Sequence, residues 1–166
     1  PDLKSKVVGT YNAVDGSSDV TDTDGHGTFV AGVAAAATNN GVGVAGVGWN
    51  SSLLAVKVEA SSGLISAAAI SEGMHWAADN GARVINISIV FRSPDPVLAD
   101  AVTYAQGKGV LVVAAAGNDG LEGNVKMYPA GFPGVVAVGA TDGKYRAPFS
   151  EYGSWVTMAA PGVNIT

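Results

Sequence analysis

Apolar positions along the chain fall into short continuous runs and longer periodic ones. Val84-Ile85-Asn86-Ile87-Ser88-Ile89-Val90 and Val110-Leu111-Val112-Val113-Ala114-Ala115-Ala116 are nearly unbroken and rich in β-branched residues, the pattern of strands covered on both faces. Leu53 to Val58 and Val135 to Ala140 have the same character, with Val7-Val8 and Trp155-Val156-Thr157-Met158 as weaker candidates. Helical spacing lies between them. From Ser66 to Asn80, Ile70, Met74 and Ala78 recur every fourth residue, and Gly81 follows where a left-handed cap belongs. From Pro96 to Lys108, Leu98, Ala101, Val102 and Ala105 share one face, Asp95 is placed to cap, Pro96 suits the first helical position, and Gly109 closes the end. A third helix is expected from His26 to Ala37 on small residues. This order of strands and helices predicts an α/β fold with right-handed crossovers, a parallel sheet and helices on both faces. No repeat or linker divides it, and neither terminus carries a capping signal or polar tail. The expectation is one domain spanning residues 1–166, incomplete at both ends.

Composition narrows the function classes. With 166 residues and 48% hydrophobic content the chain can bury a sizeable core, and its 23 glycines imply tight turns between closely packed elements. The net charge is −5 and the nine Lys and Arg residues are scattered, so no basic stripe offers itself to a phosphate backbone. No nucleic-acid partner is expected. Cysteine is absent, which removes disulfides, thiolate nucleophiles and Cys-based zinc sites. No apolar run is long enough to span a bilayer, so no membrane partner is expected either.

Two blocks could carry chemistry. Asp24-Gly25-His26-Gly27-Thr28 sets a histidine between glycines just ahead of a helix. Bare neighbours let other backbone approach, as an imidazole needs if it is to touch a nucleophile on one edge and a carboxylate on the other. Val112 to Gly120 is a buried strand that ends in Gly117-Asn118. Open α/β sheets keep their sites at that carboxyl edge, where an amide can donate to a developing oxyanion. Taken singly, the first block reads better as a turn histidine that caps a helix, and the second reads also as an asparagine that stabilises a turn.

Together and in this order they resemble the subtilisin-like serine peptidases. His26-Gly27-Thr28-Phe29-Val30-Ala31-Gly32 is similar to that family's histidine block, and Val84-Ile85-Asn86-Ile87-Ser88 to the start of its substrate-binding strand. Ala114 to Asn118 is similar to its oxyanion block. Tyr128-Pro129-Ala130, Val135 to Ala140, Phe149-Ser150 and Ala159-Ala160-Pro161-Gly162-Val163 continue the likeness along the chain. The resemblance implies a secreted endopeptidase with a polypeptide substrate, in which His26 is the general base and the Asn118 side chain stabilises the tetrahedral oxyanion. In a relative, that stabilisation is worth about 3 kcal/mol. Ser88, Ile89, Val90, Ala115, Gly117 and Met127 would bind substrate.

Two strings of the family pattern do not occur in the chain: Gly-Thr-Ser-Met-Ala, which holds the nucleophile, and the Asp-Ser/Thr-Gly that holds the triad aspartate. Asp15-Gly16-Ser17 and Asp22-Thr23-Asp24 lie in the loop before His26 and are assigned to solvent. The 166 residues alone are therefore expected to be inactive, their partners including the segments of the same domain that carry Asp and Ser, and a pro-segment. Three positions depart from the pattern. Phe29 replaces a second histidine and reads as packing. Val90-Phe91 replaces two glycines of the primary specificity pocket, and Met127 stands near that pocket where a small residue is common. These side chains would narrow or fill it, which implies either a preference for small residues before the scissile bond or a non-cleaving relative. The alternatives are accordingly a catalytically dead peptide-binding module, which would take a peptide as an added strand beside Ser88 to Val90, and a purely structural domain.

Thr38-Asn39-Asn40-Gly41-Val42-Gly43-Val44 resembles the family's calcium loop, and Asp2 matches a further ligand. The implied cofactor is a structural calcium ion held by Asp2, Thr38, Asn40, Val42 and Val44, its affinity weakened if an N-terminal segment is missing. Side-chain and carbonyl oxygens of this mixed kind suit Ca²⁺, though on its own the stretch reads better as an ordinary polar Gly-rich loop. Gly41-Val42-Gly43-Val44-Ala45-Gly46 also fits G-x-G-x-x-G, but it follows a helix and precedes a strand, the reverse of what a dinucleotide site needs. His75, between Met74 and Trp76 on a helix, reads as structural.

Overall fold

A computed structural model describes residues 2–165. The elements run β1 (Val7–Asn12), α1 (His26–Ala35), β2 (Leu53–Lys57), α2 (Ala67–Asp79), β3 (Val84–Ile87), α3 (Pro96–Gly107), β4 (Leu111–Ala115), β5 (Val136–Thr141) and β6 (Met158–Pro161). Every strand pairing is parallel, so the predicted parallel α/β fold is present. The strands divide between two sheets, β1-β2 and β3-β4-β5-β6. The chain forms two compact units, Pro1–Gly73 and Met74–Thr166, whose boundary falls within α2.

In the first unit β1 runs parallel to β2, Thr10 opposite Ala55 and Tyr11 opposite Val56. The tight loop after α1 is stitched back onto its last turn, with Gly46 donating to the Ala36 carbonyl, Val47 to Val33 and Gly48 to Ala34. Small side chains make this approach feasible, and Ala35 and Ala36 are fully buried there. Phe29, read as a packing residue, is instead 53% exposed.

The second unit is ordered by β4. Its partners are β3 on one edge, with Ile85 opposite Val112, and β5 on the other, with Ala114 opposite Ala137. Helix α3 crosses between β3 and β4 and packs on β4, burying Leu98, Ala101, Val102 and Ala105. That is the apolar face expected from the spacing. Asp95 caps the helix, accepting from the Val97 and Leu98 amides, and Pro96 occupies the first turn. The two β-branched runs are not covered on both faces as expected. Val84 is 56% and Leu111 47% exposed, while Ile87, Val112 and Ala114 are buried. The alternation shows a sheet packed on one side at this end, and the continuous apolar run concealed it because its outward positions are as hydrophobic as its inward ones.

Candidate functional site

His26 is the first residue of α1, preceded by Gly25 in the left-handed conformation at φ 91°. Gly25 has no side chain with which to cap the helix, and the carboxylate of Asp22 does so from the loop. Its Oδ2 accepts from the Thr28 amide at 2.8 Å and the Thr28 hydroxyl at 2.7 Å. Its Oδ1 accepts from the Gly25 amide at 2.9 Å and the Asp24 amide at 3.2 Å. The Thr28 hydroxyl, ahead of the Gly25 and Thr28 amides, holds the Asp22 carboxyl down to about 2. The Asp24 carboxylate takes the His26 amide at 3.3 Å. Two carboxylates therefore sit on the amides of the first turn, where the helix dipole also favours negative charge. The sequence assigns this aspartate run to solvent. Asp22 and Asp24 are solvent-exposed, yet they hold the histidine turn. The available signal was Asp22 six residues ahead of Thr28, with glycine at 25 and 27.

Asn118 belongs to the second unit, just past the carboxyl end of β4, and its side chain is exposed. The turn that presents it is pinned: Ala116 donates to the Val138 carbonyl, Gly120 to Phe149, and Gly117 accepts from the Glu151 amide at 3.2 Å. Gly117 adopts φ 118°, and a Cβ there would lie 2.8 Å from the side chains of both Met127 and Glu151, so only glycine serves. Asp119 pairs with Arg92 at 2.5 Å. Beside this turn lies a cavity of about 370 Å³ that brings together Ser88, Ala115, Gly117 and Asn118 with Asn86, Phe149 and Gly162. Asn86 donates to the Ser88 hydroxyl at 3.0 Å, an arrangement the sequence did not single out. Ser88, Ile89 and Val90 lie beyond the end of β3 and not within a strand. The chain there is tied by Phe91, which exchanges backbone hydrogen bonds with Tyr128 in both directions. Neither Ile89, Val90 nor Met127 lines the cavity. Met127 is fully buried at 0% exposure and so occupies space that a smaller residue would leave open.

Behind Gly117 the carboxylate of Glu151 is buried, the residue being 1% exposed. Among the described residues neither of its oxygens has a hydrogen-bond partner. Burial first, and the Asp119 charge second, push this carboxyl above its ordinary value. Arg92, a weak backbone hydrogen-bonding contact from Val125, and Arg146 pull the other way, and no contact reaches full hydrogen-bond geometry. Nothing in the sequence signalled a buried acid, since an Asp or Glu in a loop normally faces water.

In the first unit Asp2 meets the loop of residues 37–45. Its Oδ1 accepts from the Asn40 side chain at 2.7 Å and its Oδ2 from the Val44 amide at 3.0 Å. These two contacts, Asn40 foremost, hold its carboxyl below the usual range. The Asn40 oxygen in turn accepts from Val42. The loop encloses a hollow of about 250 Å³ lined by residues 37–45. A Cβ on Gly43 would fall 1.9 Å from the Asp2 Oδ2, so the glycine is what admits the carboxylate. A carboxylate, an amide oxygen and the backbone carbonyls of Thr38, Val42 and Val44 are oxygen donors of the kind a hard cation takes, although the Asp2 and Asn40 oxygens here accept hydrogen bonds from Asn40, Val44 and Val42. No cluster of three or more His, Cys, Asp or Glu occurs among the described residues, so a cation would depend chiefly on neutral oxygens. His75 rests against the Tyr104 ring at 4.4 Å, in keeping with its structural assignment.

The subtilase family pattern matches residues 1–166. A thermophilic serine proteinase of Bacillus sp. (strain AK1) is 46% identical over 166 residues, covering 99% of this chain and 41% of that protein. Subtilisin Savinase of Lederbergia lenta is also 46% identical, over 99% of this chain and 60% of its own. The crystal structure of a cold adapted subtilisin-like serine proteinase superposes with a TM-score of 0.84 at 32% identity, covering 99% of this chain and 58% of that one. The chain thus spans between about two fifths and three fifths of the length of these relatives. No helix among the described residues is long and apolar enough to cross a membrane. With the match unbroken along the chain and the parallel α/β architecture shared, the chain belongs to the subtilase family of serine proteases.

Proposed function

We propose that these residues form part of a secreted subtilisin-like endopeptidase that hydrolyses polypeptides through an acyl-enzyme. The supporting observation is the placement of the two family blocks: His26 heads a helix whose first turn is locked by Asp22, and Asn118 follows a pinned turn at the carboxyl end of β4. In this mechanism a serine from a segment outside the 166 residues attacks the scissile carbonyl. His26 takes its hydroxyl proton and delivers it to the leaving amine, and the Asn118 amide donates to the oxyanion. A water then repeats the sequence on the acyl group. An aspartate from another such segment would set the His26 tautomer. Ser88, Ala115 and Gly117 at the cavity would form the substrate wall, and Ile89, Val90 and Met127, which lie outside its lining, would also bind substrate. Without nucleophile and aspartate the 166 residues alone would be inactive.

Cleavage of a peptide anilide by the full-length protein, blocked by a serine-directed phosphonate and abolished by His26→Ala, is the expected result. Full activity in His26→Ala would refute the assignment, as would activity of the 166-residue chain alone. For Asn118→Ala a fall of about 10²–10³ in kcat is expected, the range known for this donor in a relative. We also propose that Asp2, Thr38, Asn40, Val42 and Val44 hold a structural calcium ion, which would clamp the loop without entering the chemistry. A pro-segment is a further proposed partner. If the full-length protein cleaves nothing yet binds a peptide aldehyde, the dead peptide-binding alternative stands in its place.

A further inference from the structure

The buried carboxylate of Glu151 has no part in the proposed acyl transfer or in the calcium loop. A buried acid whose oxygens make no hydrogen bond of full geometry, with only a weak backbone contact from Val125, is costly to keep, and the two cations that face it are engaged elsewhere. Arg92 pairs with Asp119 at 2.5 Å. Arg146 donates to the carbonyls of Ala147, Pro148 and Ser150 and lies over the Tyr152 ring. Gly117 lines the cavity, and the side chains of Glu151 and Met127 both abut it, so the acid lies one residue from the cavity. Met127, buried beside the same glycine, is unbranched and can swing on three bonds, so it can be displaced where a β-branched residue would be fixed.

We propose that Glu151 is a specificity determinant that pairs with a cationic side chain, Lys or Arg, at the substrate residue before the scissile bond, reached when Met127 turns aside. This rests on the peptidase reading and names its substrate class. It also alters the size argument, in which Val90, Phe91 and Met127 alone select small residues. A desolvated carboxylate rewards a guanidinium or ammonium and rejects a neutral chain of equal length, because only the former satisfies it. Three charged groups act on Glu151, Asp119 raising its pKa and Arg92 and Arg146 lowering it. Since burial raises that pKa overall, the discrimination should weaken as pH falls through the raised value and the carboxyl becomes neutral.

The test uses the full-length protein and fluorogenic peptides that differ only before the scissile bond: Arg, Lys, Ala, Leu and Phe. The expected kcat/KM for Arg and Lys exceeds that for Ala by at least about tenfold, with the ratio collapsing in Glu151→Gln and rising in Met127→Ala. Preference for neutral residues, or a basic preference untouched by Glu151→Gln, would overturn the proposal while leaving the peptidase assignment intact. If no peptide is cleaved and no phosphonate label is taken up, the peptidase assignment fails, and benzamidine binding by calorimetry then decides Glu151. Binding at least about tenfold weaker in Glu151→Gln supports a cation site, and equal or no binding in both proteins refutes it. Should Glu151→Gln fold poorly, Met127→Ala alone carries the test through the rise it should produce.

Discussion

Asp22 accepts four hydrogen bonds from the turn that carries His26, and its removal should be felt at the histidine more than in the fold. Asp22→Ala is expected to cost about 1 kcal/mol as a lost cap. It should also lower kcat/KM of the full-length protein about tenfold or more by loosening the imidazole. A drop in stability with unchanged kcat/KM would restrict Asp22 to a structural role. The pH dependence has a definite sign. The folded carboxyl lies near 2 against 3.8 when unperturbed, so its contribution is complete above the unperturbed value and is lost as pH falls towards 2. An NMR titration of the Thr28 amide should show a midpoint near 2, and a midpoint near 3.8 would deny the cap. His26 and Asn118 could be named as candidates because each stands in a local string. Asp22 and Glu151 were not, because what defines them is a partner, or the want of one, that only folding supplies.

At the scale of elements, local rules decided most boundaries. The face of α3 was readable from Leu98, Ala101, Val102 and Ala105, and its start from Asp95-Pro96, because periodicity and capping are properties of neighbouring residues. Leu98→Ala should destabilise the protein by about 2–5 kcal/mol and Asp95→Ala by about 1 kcal/mol, both measurable by urea unfolding. An effect of Leu98→Ala below about 1 kcal/mol would mean that the helix is not part of the core. Less legible were the ends of β3 and β6. The first stops at Ile87 although the apolar run continues to Val90, and the second starts at Met158, the last residue of the run expected to form it. Strand limits depend on where a partner ends, and that is not written locally. The loop of residues 37–45 is the element whose chemistry is most exposed to a single change. Gly43→Ala would drive a methyl into the Asp2 carboxylate, and calorimetry of the full-length protein should then show calcium binding weakened at least about tenfold, or lost. Unaltered binding would place the ion elsewhere.

For the whole molecule, family membership was readable because its evidence is ordered along the chain, whereas the division of the strands between two sheets was not. Hydrophobic pattern states that a segment is a strand and leaves open which neighbour it finds. The same division has a consequence for handling the polypeptide. Among the described residues β2 pairs only with β1, and β3 only with β4, so each carries a row of backbone donors and acceptors with no strand beside it. Such margins are templates for another chain, and Val84 offers an apolar side chain next to one of them. The 166 residues expressed alone should self-associate in light scattering at tens of micromolar, and Val84→Lys should reduce that by placing charge on the open margin. Solubility, as much as chemistry, would then depend on how those two margins are closed.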